Sequence, residues 1–166
     1  MQAHPQLHRV FLWISVLAWG VGVGGKLFDL LVLAGAWSAA PPASLVLLPY
    51  GPRFPVGPGQ FFLLVSPTIL IASVGALVLG RSAPYRLWLW CSALLMFLVF
   101  LLTMVVMWPL NTALYAAAPG SPIGPGGNSN IVELAHRWVA YDWLRVAMMA
   151  AGFISAVRSI SQPAAR

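Results

Sequence analysis

Apolar residues fill four long blocks, about Val10–Ala36, Phe61–Leu79, Leu87–Leu110 and Trp138–Val157, parted by short polar or proline- and glycine-rich stretches. A helix needs about 20 mostly apolar residues to cross hydrocarbon. The pattern therefore predicts an all-α, integral membrane four-helix bundle, with residues 1–166 as a single transmembrane domain. The third block carries no charge. The fourth is the informative one. Its uncharged part, Val146 to Val157, covers only about 18 Å at 1.5 Å per residue. It spans only if it also takes in Asp142 and Arg145 from "HRWVAYDWLRV", residues 136–146.

The two longer connections differ in character. Ser38 to Gln60 contains Pro41, Pro42, Pro49, Pro52, Pro55 and Pro58, which predicts stiff, partly extended chain. Its centre, "SLVLLPY", is apolar enough to fold back as a lid. "PGSPIGPGGNSN", 119–130, is dominated by turn formers and is expected to be mobile.

Composition agrees with a membrane location. The chain is 60% hydrophobic and 7% charged, against about 25% charged in a soluble domain. The net charge of +6 comes from nine Lys and Arg placed singly, mostly at segment ends, so it marks topology and not a nucleic-acid partner. Arg9, Arg81, Arg86, Arg158 and Arg166 fall on one side, against Arg53 and the rim Arg137 on the other, which predicts a cell-membrane protein with both termini cytoplasmic. The first block has a basic start and an "AGA" at 34–36, yet its length and the interrupting Lys26 and Asp29 favour a retained span over a cleaved leader. The lone Cys91 excludes an intrachain disulfide and CxxC redox chemistry.

With that orientation the polar residues collect near the outer ends of the spans. Helical spacing puts Gly22, Lys26, Asp29 and Leu33 on one stripe, Met104, Trp108, Asn111 and Tyr115 on a second, and Trp138, Asp142, Arg145, Met149 and Gly152 on a third. Lys26, Asp29, Asn111, Asp142 and Arg145 form an inner set; Glu133, His136 and Arg137 form an outer rim. A charge in hydrocarbon costs about 2.5–3.5 kcal/mol, so four of them cost roughly 10 kcal/mol unless they face inward and pair. Two cations and two anions allow a neutral cluster, for instance Lys26 with Asp142 and Asp29 with Arg145. Such a cluster is either a structural lock between the first and last spans or a ligand and proton site. An arginine fork suits a carboxylate or phenolate. Trp19, Trp108, Trp138 and Trp143 either stack on a ring or serve as interfacial anchors.

Other signals carry less. His136 is the one histidine outside the N-terminal tail, and with Glu133 it supplies two ligands where zinc takes three or four, so no metal site is expected. "GVGVGG", 20–25, matches GxGxxG but lacks the strand and βαβ unit of a dinucleotide site. Its glycines are expected to permit close helix packing, with Gly20 and Gly24 in GxxxG spacing.

Two stretches carry a family resemblance. "WPLNTALY", 108–115, and "RWVAYDWLRVAMMAAGF", 137–153, resemble the ends of the third and fourth spans in the small four-span membrane proteins that include the fungal anthrone oxygenases. On that match Asn111, Arg137, Trp138 and Arg145 fall on family positions, and Asp142 stands where the family usually has a histidine. The resemblance implies oxidation of an anthrone to an anthraquinone by oxygen, without metal, flavin or other cofactor. The polar cluster is compatible with that chemistry, and with it Asp142, Arg145, Lys26 and Asp29 are the candidate catalytic residues, and Asn111, Trp108, Trp138, Arg137 and His136 the candidate substrate contacts. Expected partners are the bilayer and an apolar, anthrone- or quinone-like small molecule, with a homo-oligomer left open. The alternative is a binder, transporter or accessory membrane subunit whose charge cluster is structural.

Overall fold

A computed structural model describes residues 5–51, 53–54, 56–80, 84–121 and 130–161. Among the described residues the chain is helical and has no strand. Four helices are long and apolar enough to cross a membrane: α1 (Pro5–Trp37), α2 (Pro58–Leu79), α3 (Arg86–Ala117) and α4 (Ile131–Ser161). Arg81, Arg166 and most of the 119–130 connection lie outside the described residues.

The helices outrun the hydrophobic blocks because hydropathy stops at polar residues and a helix does not. Proline opens α1 and α2, where its fixed φ suits the first turn and its missing N–H costs nothing. α4 starts two turns before Trp138, taking in Glu133, His136 and Arg137. Glu133 in its first turn suits the positive end of the helix dipole and accepts from Asn130 Nδ2 at 3.1 Å. The early start of α1 also corrects the reading of the N-terminal tail, since His8 is helical and buried.

Two helices contain a π-helical turn, Asp29–Ala34 in α1 and Thr103–Met107 in α3. Pro109 explains the second. It has no N–H for the Val105 carbonyl and its ring crowds that position, so the helix widens just before it.

Leucines 63 and 64 are 72% and 76% exposed, and exposed Leu, Val, Ile and Phe side chains occur along all four helices. An apolar exterior of this extent is a lipid-facing surface. The protein is a multi-pass membrane protein.

The chain packs as two compact units. The first comprises the described parts of 1–24, 62–100 and 147–166. Its cores are Leu12, Ala76, Leu77, Tyr85 and Leu89, and Trp19, Ile69, Met96, Val99, Met149 and Ala156. Several of its buried polar groups are matched to one another. Trp19 Nε1 donates to Ser92 Oγ at 2.8 Å, Ser73 Oγ lies 2.9 Å from Ser15 Oγ and 3.3 Å from Ser92 Oγ, and His8 Nε2 lies 2.9 Å from the Tyr85 hydroxyl. Hydrogen bonds between helices in lipid contribute about 0.6 kcal/mol each on average, so this set fixes register more than it adds stability.

Small residues set the spacing. A Cβ on Gly152 would fall 2.4 Å from the Trp19 ring, which is fully buried and held by Ser92. Gly152→Ala is therefore expected to lower stability by about 1–3 kcal/mol, the usual cost of overpacking, read as a drop in Tm in detergent. Of the "GVGVGG" glycines, Gly22 and Gly25 make the close approaches, to Ile69, Met149 and Val65 at 3.2 Å and to Phe61 at 2.5 Å for an added Cβ. The expected Gly20–Gly24 pair does not, since Gly24 has open space around it and the nearest atom to a Cβ on Gly20 is 3.6 Å away.

Candidate functional site

The second unit comprises the described parts of 25–61 and 101–146, and it holds the charged cluster. Its core is Leu30, Ala34, Trp37, Leu45, Leu48, Met107, Leu114, Ala118, Ile131, Ala135, Trp138 and Val146. "SLVLLPY" folds into this core. Ala43–Leu47 forms a 3-10 turn that buries Leu45 and Leu48 in place of the extended chain expected there. Ser44 Oγ, donating to the Trp37 carbonyl at 2.6 Å, ties that turn to the end of α1.

Lys26, Asp29, Asp142 and Arg145 come together here. Lys26, Asp29 and Asp142 are buried, Asp142 completely. Lys26 Nζ bonds Asp29 Oδ2 and lies 2.9 Å from Asp142 Oδ1. Arg145 Nε donates to the same Asp142 oxygen at 2.7 Å, and Nη2 bonds it as well. Neutral pairing is present, and the partners differ in part from the simplest arrangement: Lys26 does meet Asp142, while Arg145 also turns to Asp142 and Asp29 stays with Lys26. Spacing explains the difference, because each acid sits three residues from a base on its own helix.

The Asp142 carboxylate is used unevenly. Oδ1 takes both cations, whereas Oδ2 is buried with no hydrogen-bond partner. Buried carboxylate oxygens normally have partners, so an open one calls for an explanation.

Trp138 forms the wall. Its Nε1 donates to Asn111 Oδ1 at 2.6 Å, which fixes the ring. Lys26 Nζ sits 5.3 Å and Arg145 Cζ 5.8 Å from its ring centroid, both within cation–π range. Trp37 meets it edge to face at 5.0 Å.

The remaining sequence candidates lie apart. Trp108 is 62% exposed, and Met107 is buried in its stead. The π turn shifts the inward stripe of α3 from Met104 and Trp108 to Thr103 and Met107, which a count of 3.6 residues per turn misses. Thr103 Oγ1 accepts from Arg145 Nη1 at 3.3 Å and joins the site. His136 is exposed, and Arg137 spends its charge on an exposed pair with Glu133 at 3.5 Å, an arrangement that contributes little. Among the described residues no three His, Cys, Asp or Glu side chains gather as a metal site.

Sequence reading also missed Tyr50. Its hydroxyl is buried without a partner. Burial chiefly, with the negative charge of Asp29 and Asp142 adding to it and Arg145 opposing, raises its pKa well above the ordinary tyrosine value. It therefore stays protonated, a donor at every working pH. The available signal was a polar-tipped ring closing an apolar stretch between prolines.

Residues 59–155, more than half of the chain, match the family model for anthrone oxygenase. The chain belongs to the anthrone oxygenase family. The match takes in Thr103, Asn111, Trp138, Asp142 and Arg145, while Lys26, Asp29, Trp37 and Tyr50 fall before it. Comparison with curated proteins and with solved structures gives no match. In this chain the charged cluster thus joins residues of the matched region to residues of α1.

Proposed function

We propose that the protein is an oxidoreductase that uses oxygen to convert a flat, apolar anthrone- or quinone-like aromatic to its quinone, with Asp142 as general base. One observation carries this reading: Asp142 is fully buried, its Oδ1 is anchored by Lys26 and Arg145, and its Oδ2 is left open. A lock needs both oxygens satisfied; a base needs one held and one available. Family membership supports this reaction class.

The charge balance supports the same assignment. The four charged groups sum to zero. When Asp142 Oδ2 takes a proton from the acidic methylene of an anthrone, the cluster becomes +1 as the substrate becomes an enolate of −1. The desolvated region stays neutral, with Lys26 and Arg145 already in place to stabilise the anion. The electron-rich carbon then gives an electron to oxygen, the radical pair combines into a C–O bond, and the peroxide anion takes back the proton held by Asp142 to become a hydroperoxide. Loss of the remaining C–H proton and of hydroxide breaks the O–O bond and leaves the ketone. The sum is anthrone plus O2 giving anthraquinone plus water.

The positive-inside count further supports a cell-membrane location with both termini in the cytoplasm.

The test uses the full chain in detergent micelles with unsubstituted anthrone. Expected are one O2 consumed per quinone formed, at a rate well above the enzyme-free control, and label from 18O2 in the product. Binding of anthrone with no oxygen uptake above the control would turn the assignment towards a carrier.

A further inference from the structure

Three buried polar side-chain atoms in the second unit have no hydrogen-bond partner: Asp142 Oδ2, the Tyr50 hydroxyl and Trp37 Nε1. All three residues belong to one neighbourhood. Trp37 and Tyr50 pack in or against the same core as Trp138, and Trp138 lies against Lys26 and Arg145, which bind Asp142. Tyr50 also feels the charges of Asp29, Asp142 and Arg145.

Their chemistry is complementary, one acceptor and two donors. An unmet buried donor or acceptor costs about 1–3 kcal/mol, so three in one neighbourhood are hard to keep unless something completes them. An anthrone matches this set, with an acidic methylene on one edge of its central ring and a carbonyl on the other. Lys26 and Arg145 both hold Asp142 Oδ1 and supply positive charge beside it.

We propose that Tyr50, assisted by Trp37, forms the oxyanion-binding part of the site, its O–H and the indole N–H donating to the substrate carbonyl oxygen as it becomes an enolate. This rests on the oxygenase reading above and makes Tyr50 a catalytic residue supplied by the connection between α1 and α2. Removal of one such donor costs about 10²–10³-fold in kcat.

The test is Tyr50→Phe in the full chain. Expected are a kcat for anthrone oxidation about 10²-fold lower, a KM changed little, and a Tm of the ligand-free protein equal to or above that of the parent, because a buried hydroxyl without a partner has gone. A residue acting through packing would lower Tm with kcat. The second readout is spectrophotometric titration of bound anthrone under argon, where no oxygen chemistry can intervene. The parent should lower the anthrone pKa, and Tyr50→Phe should raise the bound value by about two units, the equivalent of the same rate loss. Trp37→Phe is titrated in parallel and covers the case of a Tyr50 variant that does not fold. An unchanged bound pKa in the folded variants overturns the proposal even if the parent oxidises anthrone. A parent that shifts the pKa through Tyr50 yet consumes no oxygen retains the oxyanion site and overturns the oxygenase reading instead.

Discussion

Asp142→Asn is expected to abolish measurable anthrone oxidation while leaving a protein that folds less stably. On the proposed reading the general base is lost outright, and removal of a positioned general base costs about 10²–10⁴-fold. The substitution also leaves Lys26 and Arg145 around a neutral amide, raising the cluster from zero to +1 without substrate. Breaking a buried pair by removing one partner costs about 3–5 kcal/mol. Both effects are measurable on one preparation, turnover by oxygen uptake and stability by thermal unfolding in detergent. Because Asn keeps the shape, Trp138 and Asn111 should retain their contact. A variant with lowered Tm and parental turnover would reduce the cluster to a structural lock.

The second large effect concerns Lys26 and Asp29, and it is a cycle. Lys26→Met strips Asp29 of its cation and takes one of two cations from Asp142. The cluster falls to −1 with Asp29 still buried, and a loss of about 3–5 kcal/mol is expected. Asp29→Asn alone leaves it at +1 and should also destabilise. The double variant returns the sum to zero through Asp142 and Arg145. Its Tm should lie well above the sum of the two single losses, with a coupling of about 1–3 kcal/mol between neighbours. Additive losses would mean that the two side chains do not act as a pair in the membrane.

The two predictions separate the duties of the four charges. On the proposed reading Asp142 carries stability and chemistry together, so its variants are expected to fail in both. Lys26 and Asp29 keep the cluster neutral, and the double variant should therefore regain more stability than turnover, since Lys26 is one of the two cations close to the developing enolate.

Chemical necessity made part of this site readable from the residues. Four ionisable groups inside hydrophobic blocks had to face inward and sum to zero, and Lys26, Asp29, Asp142 and Arg145 do both. The four spans were readable for a similar reason: the cost of exposing polar backbone to lipid leaves helices as the only regular solution for blocks of that length. Which acid each base would choose was beyond the pattern, because i,i+3 neighbours on one helix compete with partners across the interface.

Elsewhere the tertiary structure decided. A π turn ahead of Pro109 moved the inner face of α3 by one residue, exchanging Trp108 and Met104 for Met107 and Thr103. Helical periodicity assumes an unbroken ladder, and Pro109 breaks it. Tyr50 reached this core only when "SLVLLPY" folded into it, a contact between segments far apart in the chain that no local spacing encodes. The residues by themselves determined that this protein crosses a membrane in four helices and carries a self-neutralising charge cluster, since both follow from the cost of placing polar groups in hydrocarbon. Only the folded chain decided that one oxygen of Asp142 stays open and that Tyr50 and Trp37 are left as donors without acceptors, because hydrogen-bond satisfaction depends on atoms brought together from different helices and a connection.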